Sequence, residues 1–246
     1  MKLCLSCFLL IFLGCQPSPS TPTNQPHLKI NLSTMGTLRG TVLFQGTPPA
    51  PTKIPLASFS QCANPKDRDE DVLIQDGKVQ NAFVYIKEGL EGYEFPKAET
   101  DVVLDQSGCL YYPRVVGIQT GQTVVIKNSD PFLHNVRGLP KRSHSFNVAM
   151  IKGAGEVRRV FDEPEIMVPI RCDVHPWMRA YVGVLNHPYF SVTGPDGSFE
   201  LKNIPAGNYT LEVWHERLGR KTEKVTVEEK KTSDVNFLLT PSPSPR

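Results

Sequence analysis

Beyond residue 40 the chain alternates short runs of β-branched and aromatic residues with Gly, Pro and Asn. The runs at 41–44, 82–87, 123–127, 180–185, 199–201, 209–214, 224–228 and 235–239 predict antiparallel strands, because short stretches of that composition bounded by turn residues fit a pleated surface. In the run 209–214, Tyr209, Leu211 and Val213 fall on one face and Thr210 and Glu212 on the other, the pattern of a strand with one side in a core. No long stretch carries the apolar period of a helix. The nearest is 145–160, and Gly153 and Gly155 weaken it. The predicted class is all-β, built as sandwiches.

The first residues do not share this pattern. Met1-Lys2 precedes an apolar run over 3–13, too short to cross a bilayer as a helix and of the length of a signal-peptide core. The run ends at Phe12-Leu13-Gly14-Cys15, which resembles a bacterial lipobox with Phe12 where Leu is usual. That resemblance implies a leader over 1–14, a lipid on Cys15 that anchors the chain to a membrane, and a place in the bacterial cell envelope facing the periplasm. Secretion with Cys15 left free is the alternative. From 16 to 26 the sequence QPSPSTPTNQP lacks the apolar residues to fold, so 15–34 reads as a tether and the Pro/Ser-rich 241–246 as a disordered tail.

Charge and motifs remove several functions. Lys and Arg number 27 against 25 Asp and Glu, a net +2, which gives no footprint for nucleic acid. The sequence has no Gly-rich phosphate loop, no Gly-x-Ser-x-Gly, no His-Glu-x-x-His and no Cys-x-x-Cys-His, which argues against a kinase, a hydrolase and a c-type cytochrome. Cys4 and Cys7 belong to the leader and Cys15 to the lipid, so Cys62, Cys109 and Cys172 remain. An envelope compartment permits disulfides. Cys62 and Cys109 lie in turn-like polar surroundings and are predicted to pair, leaving Cys172 as a free thiol.

The surroundings of Cys172 give that thiol a use. Cys172-x-x-His175-x-x-Met178 places thiolate, imidazole and thioether donors on one short loop, and His134 follows a predicted strand upstream. Two His, one Cys and a more distant Met suit copper, since the sulfur donors favour Cu(I) while the imidazoles retain Cu(II). His144, His187 and His215 read as surface or hydrogen-bonded histidines, with a second site at His187 and His215 left open. Met150 and Met167 read as packing residues. Pro131, Phe132, Pro176 and Trp177 surround the histidines with rigid apolar groups, an arrangement expected to shield the thiolate while the edge of His175 approaches the surface.

With His134-Asn135-Val136 located 38 residues before the cysteine, this constellation resembles the type 1 copper site of the cupredoxins, and its short loop is most similar to that of the amicyanins. The likeness spans about residues 99–185. It implies a Greek-key β-sandwich holding one copper ion through His134, Cys172, His175 and an axial Met178, with Asn135 tying the two ligand loops together. The implied function is single-electron transfer to a redox partner protein, with no enzyme activity. Copper delivery, or an envelope adhesion or scaffold role with a vestigial site, are the alternatives.

The C-terminal part, with Pro195-Asp-Gly-Ser and Pro205-Ala-Gly-Asn turns between alternating strands, is similar to the carboxypeptidase regulatory-like, or transthyretin-like, sandwich. Residues 186–240 are few for that fold. Segments 38–44 and 77–86, within the N-terminal β segment 35–98, resemble its first two strands. The expectation is a cupredoxin unit inserted into a sandwich built from both chain ends, against the alternative of consecutive domains.

Overall fold

The computed structural model describes residues 32–55, 59–62 and 69–241. The predicted leader, Cys15, most of the tether and residues 242–246 of the tail lie outside them. Among the described residues there is no α-helix and no helix long and apolar enough to cross a membrane. The chain forms β1 (Gly36–Phe44), β2 (Ile74–Gln75), β3 (Lys78–Val79) and β4 (Phe83–Glu88). Next come β5 (Val102–Ser107), β6 (Leu110–Tyr112), β7 (Val115–Gln119), β8 (Thr123–Asn128), β9 (His134–Gly138), β10 (Phe146–Met150), β11 (Val157–Val160), β12 (Glu165–Arg171) and β13 (Arg179–Leu185). The last are β14 (Phe190–Val192), β15 (Ser198–Ile204), β16 (Gly207–His215), β17 (Gly219–Val227), β18 (Thr232–Asp234) and β19 (Phe237–Leu239).

The pairings separate these strands into two sandwiches. In one, the sheet β10-β9-β12-β13-β7 faces the sheet β11-β8-β5-β6, and every strand lies between residues 102 and 185. In the other, β15-β1-β3-β2, with β18 and β19 alongside β1, faces β14-β4-β16-β17, so strands from both chain ends share each sheet. The chain leaves this outer sandwich after β4 and returns at β14, which pairs directly with β4 through Phe190 and Tyr85. The inner sandwich is therefore an insertion between two hydrogen-bonded neighbours.

Each sandwich has its own core. Leu104, Ile118, Ile126, Val136 and Ile170 fill the inner one, and Leu38, Ile86, Leu211, Val213 and Phe237 the outer one. A third apolar cluster, with Phe83, Val115, Met167, Tyr181 and Trp214, joins them. Phe83, Val84, Tyr85 and Ile86 are consecutive and all buried, because one face of β4 serves the outer core and the other meets the inner sandwich. Gly117 of β7 and Gly183 of β13 are register partners, and their bare Cα atoms form the slot that receives Phe83. A Cβ on Gly183 would stand 2.6 Å from Cζ of Phe83. An ionic clasp flanks this contact. The buried Arg114 guanidinium donates to Asp69 at 2.6 and 3.1 Å and also pairs with Glu216, which follows β16.

His144 is exposed, whereas His187 and His215 are buried. The Nδ1 of His187 accepts the Tyr189 N–H and that of His215 the Arg217 N–H, and neither belongs to a metal-type cluster among the described residues. Burial pulls both down to about 4, aided at His215 by the Arg114 charge. Met150 and Met167 are buried, one in the inner core and one in the cluster between the sandwiches.

Gly183→Ala is expected to cost about 1–3 kcal/mol by overpacking against Phe83, measured by chemical denaturation. A second expectation concerns acid. Both buried histidines take up protons more readily unfolded than folded, so the stability they hold above pH 6.5 is lost as pH falls towards about 4. The loss is on the order of 3 kcal/mol per histidine. His187→Gln should flatten the denaturation midpoint against pH across that window; an unchanged slope would show that His187 does not contribute.

Candidate metal centre

Two neighbouring strands of the inner sandwich carry the donors. His134 opens β9, and Cys172, His175 and Met178 lie in the turn from β12 to β13; β9 and β12 pair through Arg137–Arg171 and Gly138–Ile170. The turn closes on itself: the Met178 N–H donates to the His175 carbonyl at 2.9 Å and the Cys172 N–H to the Met178 carbonyl at 3.3 Å. His134 and His175 present their Nδ1 atoms to one another at 2.9 Å, and Cys172 Sγ stands 3.9 and 3.8 Å from them. A triangle with those sides has its centre about 2.1 Å from each corner, close to the length of first-row metal–imidazole and metal–thiolate bonds. All three residues are buried, as is Met178, which packs in the same core.

Asn135 ties the two donor loops together. Its Oδ1 accepts the Asp173 N–H at 2.6 Å and its Nδ2 donates to Asn147 at 2.7 Å and Asp173 at 3.2 Å. From the opposite sheet the Tyr111 hydroxyl reaches the carbonyls of Asn135 and Arg171 at 2.9 and 3.0 Å, bracing the strands that carry the candidate donors.

Sequence reasoning missed Asp130. Its carboxylate accepts the Nε2–H of His134 at 2.8 Å and the N–H groups of Gly108 and Cys109 at 2.7 and 2.9 Å. Gly108 and Cys109 form the two-residue turn between β5 and β6, both with positive φ (60° and 57°), which turns both amides towards the carboxylate. Burial pushes Asp130 up, but His134 and the two amides outweigh it and hold the acid below its usual range. The carboxylate in turn sets the tautomer. With the proton at Nε2 of neutral His134, the Nδ1 lone pair faces the centre. Burial lowers His134, yet its bonds to Asp130 and Cys172 prevail and raise it; at His175 burial, assisted by the charge of His134, lowers the imidazole to about 4. Burial likewise works against a thiolate at Cys172, but His134 and nearby backbone amides overcome it and lower the thiol. The cue for Asp130 was its position four residues before His134.

Cys62 and Cys109 form a disulfide, and Cys172 is free. Both disulfide sulfurs lie within 4.8 Å of a ring nitrogen of His175. The expected approach of the His175 edge to the surface is not observed. Trp177 and His175 are both buried, and the Phe59 ring covers them with centroids 4.8 Å from Trp177 and 5.4 Å from His175. The indole N–H of Trp177 donates to the Cys109 carbonyl at 3.0 Å. Pro131 and Pro176 remain exposed around this end, but the imidazole lies beneath the cover.

Residues 176–240 match the carboxypeptidase regulatory-like domain. The match begins on the donor loop and runs to the end of β19, without β1 to β4. No curated protein matches the chain. Among solved structures, the chain is similar to a copper-containing nitrite reductase from Thermus scotoductus SA-01, with 22% identity and TM-score 0.31 over 41% of this chain and 25% of that one. It spans only that quarter of the reductase. It is also similar to a purple cupredoxin from Nitrosopumilus maritimus, with 24% identity and TM-score 0.30 over 34% of this chain and 99% of that one. An amicyanin variant shows 22% identity and TM-score 0.31 over 41% and 97%.

Replacing Asn135 with Ala leaves the Asp173 N–H without its short acceptor and removes one of the ties between the two loops, the Asn147 and Arg137 bonds to Asp173 remaining. The metal-free Asn135→Ala chain should lose about 1–3 kcal/mol of stability, measured by urea denaturation.

Proposed function

We propose that this chain carries single electrons through one copper ion held by Nδ1 of His134, Sγ of Cys172 and Nδ1 of His175, with Met178 as a weaker fourth donor. The observation that carries this reading is the convergence of the three buried donors on a point about 2.1 Å from each, a distance that fits a first-row metal. A thiolate and two imidazoles match the softness of copper in both oxidation states, and a bound copper ion would supply the one-electron couple. The chain's own residues provide a fixed cage. Asp130 orients His134, Asn135 joins the donor loops, and Tyr111 braces their strands, so the donors need move little when the charge at the centre changes. Burial of every donor also favours electron cycling over copper delivery, which requires a donor within reach of the receiving protein.

The same reading makes the chain an electron carrier without enzyme activity, working with a redox partner protein. The Cys62–Cys109 bond is at home in an oxidising compartment, in keeping with a lipid-anchored protein of the bacterial envelope facing the periplasm.

The test is reconstitution of the metal-free chain with Cu(II). The expected result is an intense thiolate-to-copper absorption band in the visible and a one-to-one copper content, both reversible on reduction. Cys172→Ser should abolish the band. A wild-type chain that takes up copper without the band, or a band that survives in Cys172→Ser, would reject the assignment.

A further inference from the structure

The cover over His175 is the one part of the centre contributed by the segment between β1 and β2, which belongs to the outer sandwich. Phe59 supplies the ring, and Cys62, three residues on, supplies the bond to Cys109 in the inner sandwich. Residues 59–62 belong to no strand; their described ties are the Phe59 ring contacts, the Cys62 N–H to Phe59 carbonyl bond and the disulfide. A second observation marks the imidazole beneath them. The Nε2 atom of His175 is buried and has no hydrogen-bond partner, so the closed arrangement leaves a polar atom unsatisfied that solvent could serve. The disulfide is thus the covalent part of a seal whose other contacts, among the described residues, are the Phe59 ring packing and the burial of Cys62 against the inner core.

We propose that Cys62–Cys109 is a thiol-operated latch on the metal centre. Closed, it pins Phe59 over His175 and denies small molecules access to the imidazole. Open, it releases Phe59 and exposes the Nε2 edge to solvent, chelators and partner proteins. Opening is a two-electron exchange with a dithiol reductant. Both cysteines are buried, so attack follows a local displacement of residues 59–62; one thiolate of the reductant then attacks a latch sulfur and the Sγ–Sγ bond breaks, and the second thiol displaces the mixed disulfide. Cys62 and Cys109 finish as thiols with the two protons, and the reductant finishes as a disulfide. The functional consequence rests on the reading of His175 as a metal donor, but the latch itself is a property of the chain without metal.

The experiment therefore uses the metal-free full chain. Diethyl pyrocarbonate labels accessible imidazoles, and peptide mass spectrometry gives a rate for each histidine before and after reduction with dithiothreitol. His175 is expected to label about tenfold faster or more once the disulfide is open, a local opening at the edge of the inner core that leaves the outer one closed. His187 and His215 should stay protected in both states. Phe59→Ala, with the disulfide intact, should label at His175 without reductant. Equal His175 rates with the disulfide closed and open would overturn the proposal. So would a joint rise at His175, His187 and His215, since that reports loss of the fold. Failure of the copper assignment would show in the visible spectrum and leave the labelling result standing, whereas unchanged labelling in a chain that gives the copper band rejects the latch alone.

Discussion

Three donors that prefer water must be held dry within a few ångströms of one another, and the construction around the centre answers that demand. Two imidazole nitrogens at 2.9 Å and a sulfur nearby have no stable arrangement in an apolar core unless something charged lies between them or they share a proton. The opposite side of His134 is satisfied by Asp130, whose carboxylate is held by the amides of the Gly108–Cys109 turn. Breaking this series of bonds at any point would leave a buried group without a partner, which costs more than a single hydrogen bond contributes. The centre is therefore as rigid as the turn at its base.

That turn also links the centre to the rest of the molecule. Cys109 holds Cys62 through sulfur, Asp130 through its amide and Trp177 through its carbonyl. One residue in a left-handed conformation consequently serves the donor loop, the carboxylate that orients the other histidine and the segment arriving from the outer sandwich. Insertion between β4 and β14 brings this about. Because the two strands bordering the inserted unit are hydrogen-bonded neighbours, the inner sandwich is fixed at one face of the outer one, and the β1–β2 segment can reach across to the donor cluster. The glycine slot at Gly117 and Gly183 and the Arg114 clasp secure the same relationship by packing and charge.

Much of this could be read from residue order, within definite limits. Strands with clear alternation, such as β16 and β17, were visible, as was the neighbourhood of Cys172, because the donor loop is short and its spacing is contiguous. Strand β12 was not. Pro169 and a bulge at Met167, with φ of 65°, break its alternation, yet it lies between β9 and β13 and delivers Cys172. Strands β10 and β11 fell in the stretch closest to a helical period; pairing to β9 and β8 decides their form. Asp130 left only a faint cue, its place four residues before His134, because its role depends on the Gly108–Cys109 turn more than twenty residues earlier. Phe59 left none, since its role depends on a disulfide crossing that brings together residues no local spacing connects. The exposure of His175 was misread on the same ground, since the group covering it comes from more than a hundred residues earlier in the chain.

The cover changes what the centre can do with its rigidity. A site open at one histidine edge trades isolation for contact, whereas this one places its polar shell almost wholly inside protein and isolates the Cys172 sulfur from water. On the proposed reading, fixed dipoles that do not reorganise as charge changes would favour electron cycling, and a buried donor set would resist exchange of a bound ion. Both properties follow from the same contacts, and both would weaken together if the covering segment moved. The unsatisfied Nε2 of His175 marks the direction in which the site would open, since it is the one imidazole nitrogen of the centre to which the surrounding protein offers no partner. A centre with its loose end beneath a disulfide-anchored ring has its stability in the inner sandwich and its accessibility controlled from the outer one.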